Sequence, residues 1–311
     1  MRIANLSGRA ALVVGDRPVD VQAASEGAFG PAADSVFERW AEFRAWADGY
    51  LLAEGAAETS FNPSLPWLSD PEIGAPSPRP RQVFAVGLNY VEHAIEAGFE
   101  LPDTPVVFTK FPTSVTGPNQ ELALPKGSVD WEVEVVAIIG AHAYEIDEAQ
   151  APAVVAGLTL GQDLSERQLQ HAGPAPQFSL AKSFPGFGPT GPVMATLDEF
   201  TDSNDVEIGC RLNGELMQQG RSSGMVFSLS EVVSWLSHVT PLCPGDIIFL
   251  GTPSGIGASR RPPRFLAPGD ELVSWMEGVG EMRTTSTGLP LAGPGVPSSV
   301  ARRHAESSRG V

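Results

Sequence analysis

Apolar residues in this chain mostly alternate with polar ones or run in short unbroken blocks, and both patterns predict β-strands more often than helices. Residues 2–25 read as short strands around a Gly15-Asp16 turn. Asp34 or Ser35 then caps a helix whose apolar positions Val36, Trp40, Phe43 and Tyr50 recur at helical spacing. Pro63, Pro66, Pro71, Pro76, Pro78 and Pro80 follow and read as a linker. Beyond Gln82, Val83 to Gly87 is a strand and Glu92 to Gly98 a short helix ending at glycine. Further strands are predicted at 104–109, 131–139, 206–212, 246–250 and 271–277. Helices are predicted over 147–156, 164–171 and 229–238, the last capped by Ser228 or Ser230. Asn213-Gly214 between apolar arms signals a hairpin, and Pro244-Gly245-Asp246 and Pro268-Gly269-Asp270 signal turns into strands. The expectation is a strand-rich α+β protein without the regular strand–helix alternation of a doubly wound sheet. Residues 1–76 are expected to form a small N-terminal domain, 77–287 the main body, and 288–311 a disordered tail rich in Gly, Pro, Ser and Arg.

One apolar block carries two acids, Asp130-Trp131-Glu132-Val133-Glu134-Val135-Val136. On a strand, Glu132 and Glu134 project from one face. A solvated strand face is the alternative, but Val136 and Ile138 continue that same face and count against exposure. Two adjacent buried carboxylates repel unless a cation keeps both ionised. Asp163, at the end of another apolar stretch, offers a third oxygen ligand, or else a turn residue or helix cap. Together the three suit Mg²⁺ or Mn²⁺.

Other candidates for chemistry surround that set in sequence. His93 and Glu96 lie three apart on a short helix, a spacing that lets a carboxylate orient an imidazole. Arg167 and Gln170 stand one helical turn beyond Asp163, within reach of a ligand's carboxylate or carbonyl. Lys182 sits among apolar residues, where an ammonium can stabilise an anion or enolate. Gly251-Thr252-Pro253-Ser254-Gly255 follows a strand and could cradle a carboxylate with N–H groups and the Thr252 hydroxyl. It lacks the lysine of a phosphate loop, and no G-x-S-x-G elbow points to a serine hydrolase.

Charge then narrows the partners. A formal charge of −17 argues against nucleic acid, and it means that a carboxylate substrate needs a local cation to attract it. Cys210 and Cys243 have no metal-ligand spacing and read as small buried hydrophobes. No apolar run is long enough to span a membrane, and the first residues do not read as a secretory signal, so a cytoplasmic protein is expected.

Taken in order, these motifs resemble the fumarylacetoacetate hydrolase family in its C-terminal catalytic domain. The resemblance covers about residues 82 to 285. It rests on Gly87-Leu88-Asn89-Tyr90 with His93 and Glu96, Val107-Phe108 with Lys110, and Asp130-Trp131-Glu132-Val133-Glu134. Asp163-Leu164-Ser165 with Arg167 and Gln170, Lys182-Ser183-Phe184, Asn213-Gly214-Glu215, Pro244-Gly245-Asp246 and Gly251-Thr252-Pro253-Ser254-Gly255 continue it. It implies a mixed β-roll, a homodimer, and Mg²⁺, Mn²⁺ or Ca²⁺ held by Glu132, Glu134 and Asp163. Thr252, Arg167, Gln170 and Lys182 look like partners of a 2-oxo acid, with His93 and Glu96 as an acid/base pair on a lid. The implied reaction is C–C hydrolysis of an acylpyruvate, water activated by His93 leaving a pyruvate enolate. Decarboxylation or keto–enol isomerisation of a related 2-oxo dicarboxylic acid is the alternative. Two positions depart from the family pattern: Gln168 replaces an acid and Glu166 a small residue.

Overall fold

The computed structural model describes residues 1–55, 61–176 and 178–288. At its centre is the strand Val133–Ile139, buried along its whole length. Alternation divides its side chains between two cores: Val133, Val135, Ala137 and Ile139 enter one, Val136 and Ile138 the other. Val155–Gln162 pairs antiparallel on one side, with Glu134 opposite Gly161, and Ile247–Phe249 pairs on the other. From there the large sheet runs through Gly188–Ala195 to three N-terminal strands, and in the other direction through Val83–Gly87 to Val106–Thr109.

A second, five-stranded sheet runs in the order Glu215–Arg221, Glu207–Leu212, Glu271–Met276, Gly280–Thr287, Asn119–Ala123. Its Ile208, Cys210, Leu272 and Met282 share a core with Val133, Val135 and Leu158. The opposite face of the large sheet is covered by the helix Trp40–Ala53, whose Trp40, Phe43, Ala47 and Leu51 pack with Val136, Ile138 and Phe249. Both sheets mix parallel and antiparallel pairs, giving the strand-rich α+β fold expected.

Local signals hold where local chemistry decides. Asn213 and Gly214 take φ of 52° and 83° and close the hairpin, the paired positive values its tight turn requires. Ser228, not Ser230, caps Leu229–Val239, in a reciprocal box with Glu231. Strands appear at Val106–Thr109, Glu207–Leu212, Ile247–Phe249 and Glu271–Met276, slightly shorter than predicted.

Other expectations are corrected. The helix foreseen from Asp34 or Ser35 breaks at Arg39 into Ser35–Glu38 and Trp40–Ala53. The helix over 147–156 shrinks to a 3-10 turn and Ala151–Val154, because Val155 already belongs to a strand. Only half of 164–171 is helical: Ser165 and Glu166 pair with Asp130 and Val129, leaving Arg167–Gln170. Gly188–Ala195 was not foreseen, since Gly188, Pro189, Gly191 and Pro192 disfavour strands, yet it is buried between two partner strands.

The N-terminal segment, expected as a domain of its own, adds its strands to the main sheet. Ile3 pairs with Met194, and Ile3, Leu12 and Phe43 share a core with Val83 and Ala85. The expected tail lies, past Gly288, outside the described residues. Among the described residues no helix is long and apolar enough to cross a membrane.

Gly161 lets strands approach closely beside the functional residues. A Cβ there would lie 2.6 Å from Val136 Cγ2 and 2.7 Å from Phe249 Cε1. Gly161→Ala is therefore expected to destabilise by about 1–3 kcal/mol, read as a lowered denaturation midpoint.

Candidate active site

Glu134 shares its face of the central strand with Val136 and Ile138, as period two demands, but it looks into a cavity instead of the helix core. Glu132 precedes the strand, which begins at Val133 and not at residue 131. Its backbone N–H donates to Gln162 Oε1 at 2.8 Å, and Asp163 N–H donates to Glu132 O at 2.8 Å. These bonds turn the two segments toward each other. The carboxylates of Glu132, Glu134 and Asp163 converge, with ligand oxygens all within 4.8 Å of one another and all three residues buried.

Three cations meet these acids. Lys182 Nζ lies 2.5 Å from both Glu132 Oε2 and Asp163 Oδ2. Lys110 Nζ lies 2.6 Å from Asp163 Oδ1 and also donates to the Lys182 carbonyl. Arg167 reaches Glu132 Oε1 at 2.6 Å, Asp130 Oδ2 at 2.9 Å and Gln170 Oε1 at 2.9 Å. Burial pushes the Glu132 carboxyl up, but Lys182 and Arg167 outweigh it and bring it down to about 2. Burial lowers Lys182 as well, yet Asp163 and Glu132 outweigh that and raise it. Lys110 is held below its ordinary value by burial, against the pull of Asp163.

Glu134 is different. Its Oε2 accepts the Gly251 N–H at 2.7 Å, and no salt bridge reaches it among the described residues. Burial, then Asp163 and Glu132, push its carboxyl well above the ordinary range. A buried acid facing two others without its own cation is what a divalent ion would relieve. Three hard oxygen donors at this spacing fit Mg²⁺ or Mn²⁺, and the site residues present fit the ion.

His93 lies on the helix Val91–Ala97, which stops where Gly98 adopts φ 75°. Its Nδ1 is 3.5 Å from Glu96 Oε2, and the ring lines the same cavity as the acids. Glu96 also accepts the Gly255 N–H, at 3.0 and 3.1 Å to its two oxygens, so it ties the helix to the 251–257 loop. Burial would raise Glu96, but His93 and the Gly255 N–H lower it on balance and keep it ionised. Glu92 points away from His93, 3.4 Å from Ser254 Oγ.

Thr252 reaches the cavity wall, but its hydroxyl is engaged. Oγ1 donates to Val133 O at 2.9 Å and accepts from Gln218 Nε2 at 2.8 Å. It has only a lone pair left to offer a ligand. Gln170, by contrast, accepts from Arg167 through its oxygen, and among the described residues no group accepts from its NH₂.

Every candidate residue from the sequence thus borders one cavity or contacts a residue that does. Sequence reasoning assigned no role to Lys110, Asp130, Gln162 or Gln218. A lysine directly after the apolar Val106–Thr109 strand was a usable signal for Lys110; nothing local marks Gln218. The two departures from the family pattern have structural roles. Glu166 caps Arg167–Gln170 by accepting from Gln168 N at 3.1 Å and Leu169 N at 2.7 Å, and Gln168 Nε2 donates to Ser128 Oγ at 3.2 Å.

Residues 82–286 match the family described as Fumarylacetoacetate (FAA) hydrolase C-terminal. The chain belongs to the fumarylacetoacetate hydrolase family. Human oxaloacetate tautomerase FAHD2A, mitochondrial, is 40% identical over 228 residues, covering 72% of this chain and 73% of that protein. A candidate HpcE protein from Mycobacterium smegmatis is 49% identical in sequence, with a TM-score of 0.83 over 93% of this chain and 100% of that one. A probable 2-hydroxyhepta-2,4-diene-1,7-dioate isomerase from Mycobacterium abscessus is 30% identical, with a TM-score of 0.75 over 93% and 98% of the two chains. In the two mycobacterial structures the likeness extends well beyond the 205 residues from 82 to 286, so this fumarylacetoacetate hydrolase family fold is shared in its N-terminal strands too.

Proposed function

We propose that this chain is a divalent-metal-dependent keto–enol isomerase of 2-oxo acids, moving a proton between C3 and the C2 oxygen. One observation carries the reading: the His93–Glu96 pair and the three-carboxylate cluster with Lys182 face the same cavity. The names of the human and Mycobacterium abscessus relatives, a tautomerase and an isomerase, support it. Glu132, Glu134 and Asp163 would hold Mg²⁺ or Mn²⁺ (or Ca²⁺), and the ion when bound supplies positive charge that polarises the keto group.

The chain's own residues then divide the work. The NH₂ of Gln170 and the Arg167 guanidinium orient the carboxylate. His93, with Nδ1 toward Glu96, has Nε2 available to take the proton from C3. As that C–H bond breaks, its electron pair forms the C2–C3 double bond, and the carbonyl pair moves to the C2 oxygen. Lys182 donates a hydrogen bond to that oxygen as its charge grows, and delivery of the proton held by His93 to that oxygen completes the enol and restores the neutral imidazole. The reverse steps return the keto acid.

Hydrolysis of an acylpyruvate would use the same groups and add a water aimed at the distal carbonyl. One set of assays separates the reactions. With Mn²⁺ present, deuterium exchange at C3 of 2-oxobutanoate, a 2-oxo acid with a single carboxylate, followed by NMR, is expected to be fast and to stop on addition of EDTA. Release of a second carboxylic acid from acetylpyruvate faster than its C3 exchange would make the hydrolase reading the better one. His93→Ala is expected to slow exchange by about 10²–10⁴-fold without loss of Mn²⁺ affinity; exchange at the parent rate would remove His93 from the mechanism.

A further inference from the structure

Resting on the 2-oxo acid reading above, we propose that the preferred substrate carries one carboxylate and an uncharged, apolar distal group, an aromatic or branched hydrocarbon tail seated against Phe108, Phe178 and Phe99.

Size is the first argument. The cavity over the acid cluster has a volume of about 570 Å³. That falls within the roughly 300–1,000 Å³ of sites that take drug-sized ligands, well beyond a three- or four-carbon acid.

Wall chemistry is the second. The Lys182 ammonium sits 5.0 Å from the centroid of the Phe108 ring, so the aromatic wall begins at the reacting end itself. Phe108 and Phe178 pack with centroids 5.4 Å apart and ring planes tilted by 30°, and Phe99, Val106 and Ile256 continue the surface. Phe99 is 60% exposed, while Phe108 and Phe178 are half-buried. Apolar area left open to a cavity favours a ligand that covers it.

Charge is the third. Asp130, Glu132, Glu134 and Asp163 face only Lys110, Lys182 and Arg167, leaving one negative charge in excess. A divalent ion turns this into one positive charge in excess, which a single carboxylate neutralises. Beyond Arg167 and Lys182, which are already paired with the acids, the described lining residues offer a second carboxylate only His93 and His171 as possible cations, and His93 is engaged with Glu96. The chain's net charge of −17 opposes a dianion further.

Titration calorimetry of the Mn²⁺-loaded protein with pyruvate, 2-oxoglutarate and 4-phenyl-2-oxobutanoate tests this. The phenyl acid is expected to bind about tenfold or more tighter than pyruvate, and 2-oxoglutarate no tighter than pyruvate. Phe99→Ser, at an exposed site that folding tolerates, is expected to shrink the ratio of the phenyl acid's affinity to pyruvate's. Binding of 2-oxoglutarate tenfold tighter than pyruvate, or no gain from the phenyl group, would overturn the proposal and leave the 2-oxo acid reading standing. Failure of all three acids to bind would overturn both.

Discussion

Glu134→Gln is expected to lower Mn²⁺ affinity by roughly 100-fold or more while leaving the metal-free protein at least as stable as the parent. The two effects part because Glu134 is the acid without a cation of its own. Burial and the neighbouring Asp163 and Glu132 raise its pKa, so in the metal-free protein its charge is a liability. Glutamine mimics the protonated form: its oxygen can keep the Gly251 N–H bond, made at 2.7 Å by Glu134, and its NH₂ can donate to the other two acids. What it lacks is the anionic oxygen a hard cation needs. The sign with pH follows. A carboxyl whose folded pKa is raised contributes stability that is present below its unfolded value and lost as pH rises through the folded one. A metal ion must displace the same proton, so Mn²⁺ affinity should fall as pH is lowered. Calorimetry with Mn²⁺ and thermal denaturation in EDTA check both halves. Unchanged Mn²⁺ affinity in the variant would remove Glu134 from the ligand set.

Lys182→Met is expected to destabilise the metal-free protein by about 3–5 kcal/mol, a fall of about 6–20 °C in denaturation midpoint. The ammonium bridges Glu132 and Asp163 at 2.5 Å each, and methionine fills similar space without the charge. Two buried carboxylates then lose a partner at once; Arg167 still holds Glu132 and Lys110 still holds Asp163. Added Mn²⁺ should restore much of the midpoint, since it supplies positive charge to the same oxygens. Restored stability should not restore catalysis: the isomerisation rate is expected to stay about 10²–10³-fold low, because the donor to the developing oxyanion is gone. A metal-free midpoint equal to the parent's would show that Lys182 is not the partner these distances make it.

How far the site could be read in advance differs residue by residue. Glu132, Glu134 and His93 with Glu96 depend on strand alternation or helical spacing, rules that act over a few residues, and these could be placed relative to one another. Glu134 did fall on the face of Val136 and Ile138. Lys182 looked like a lysine without an acid, because its acids are 19 and 50 positions away. Thr252 looked like a free hydroxyl, and its engagement shows only in Gln218, 34 positions back, and Val133, 119 positions back. Glu166 and Gln168, which seemed to break the family pattern, serve a helix start that local propensity had placed too early.

The sequence by itself determined the strand-rich class, the Asn213-Gly214 hairpin, the helix stop at Gly98, the capping serine's neighbourhood and, through its ordered motifs, the family. Each depends on backbone torsions or side-chain periodicity among near neighbours, which any short window carries. Tertiary structure decided that Gly188–Ala195 is a strand despite its prolines, that the N-terminal strands extend the main sheet, and that Asp130, Glu132 and Asp163 share three cations in one buried cluster while Glu134 beside them has none. Those outcomes depend on pairing and burial between distant segments. Their energies come from desolvation and direct charge contact, which have no period along the chain.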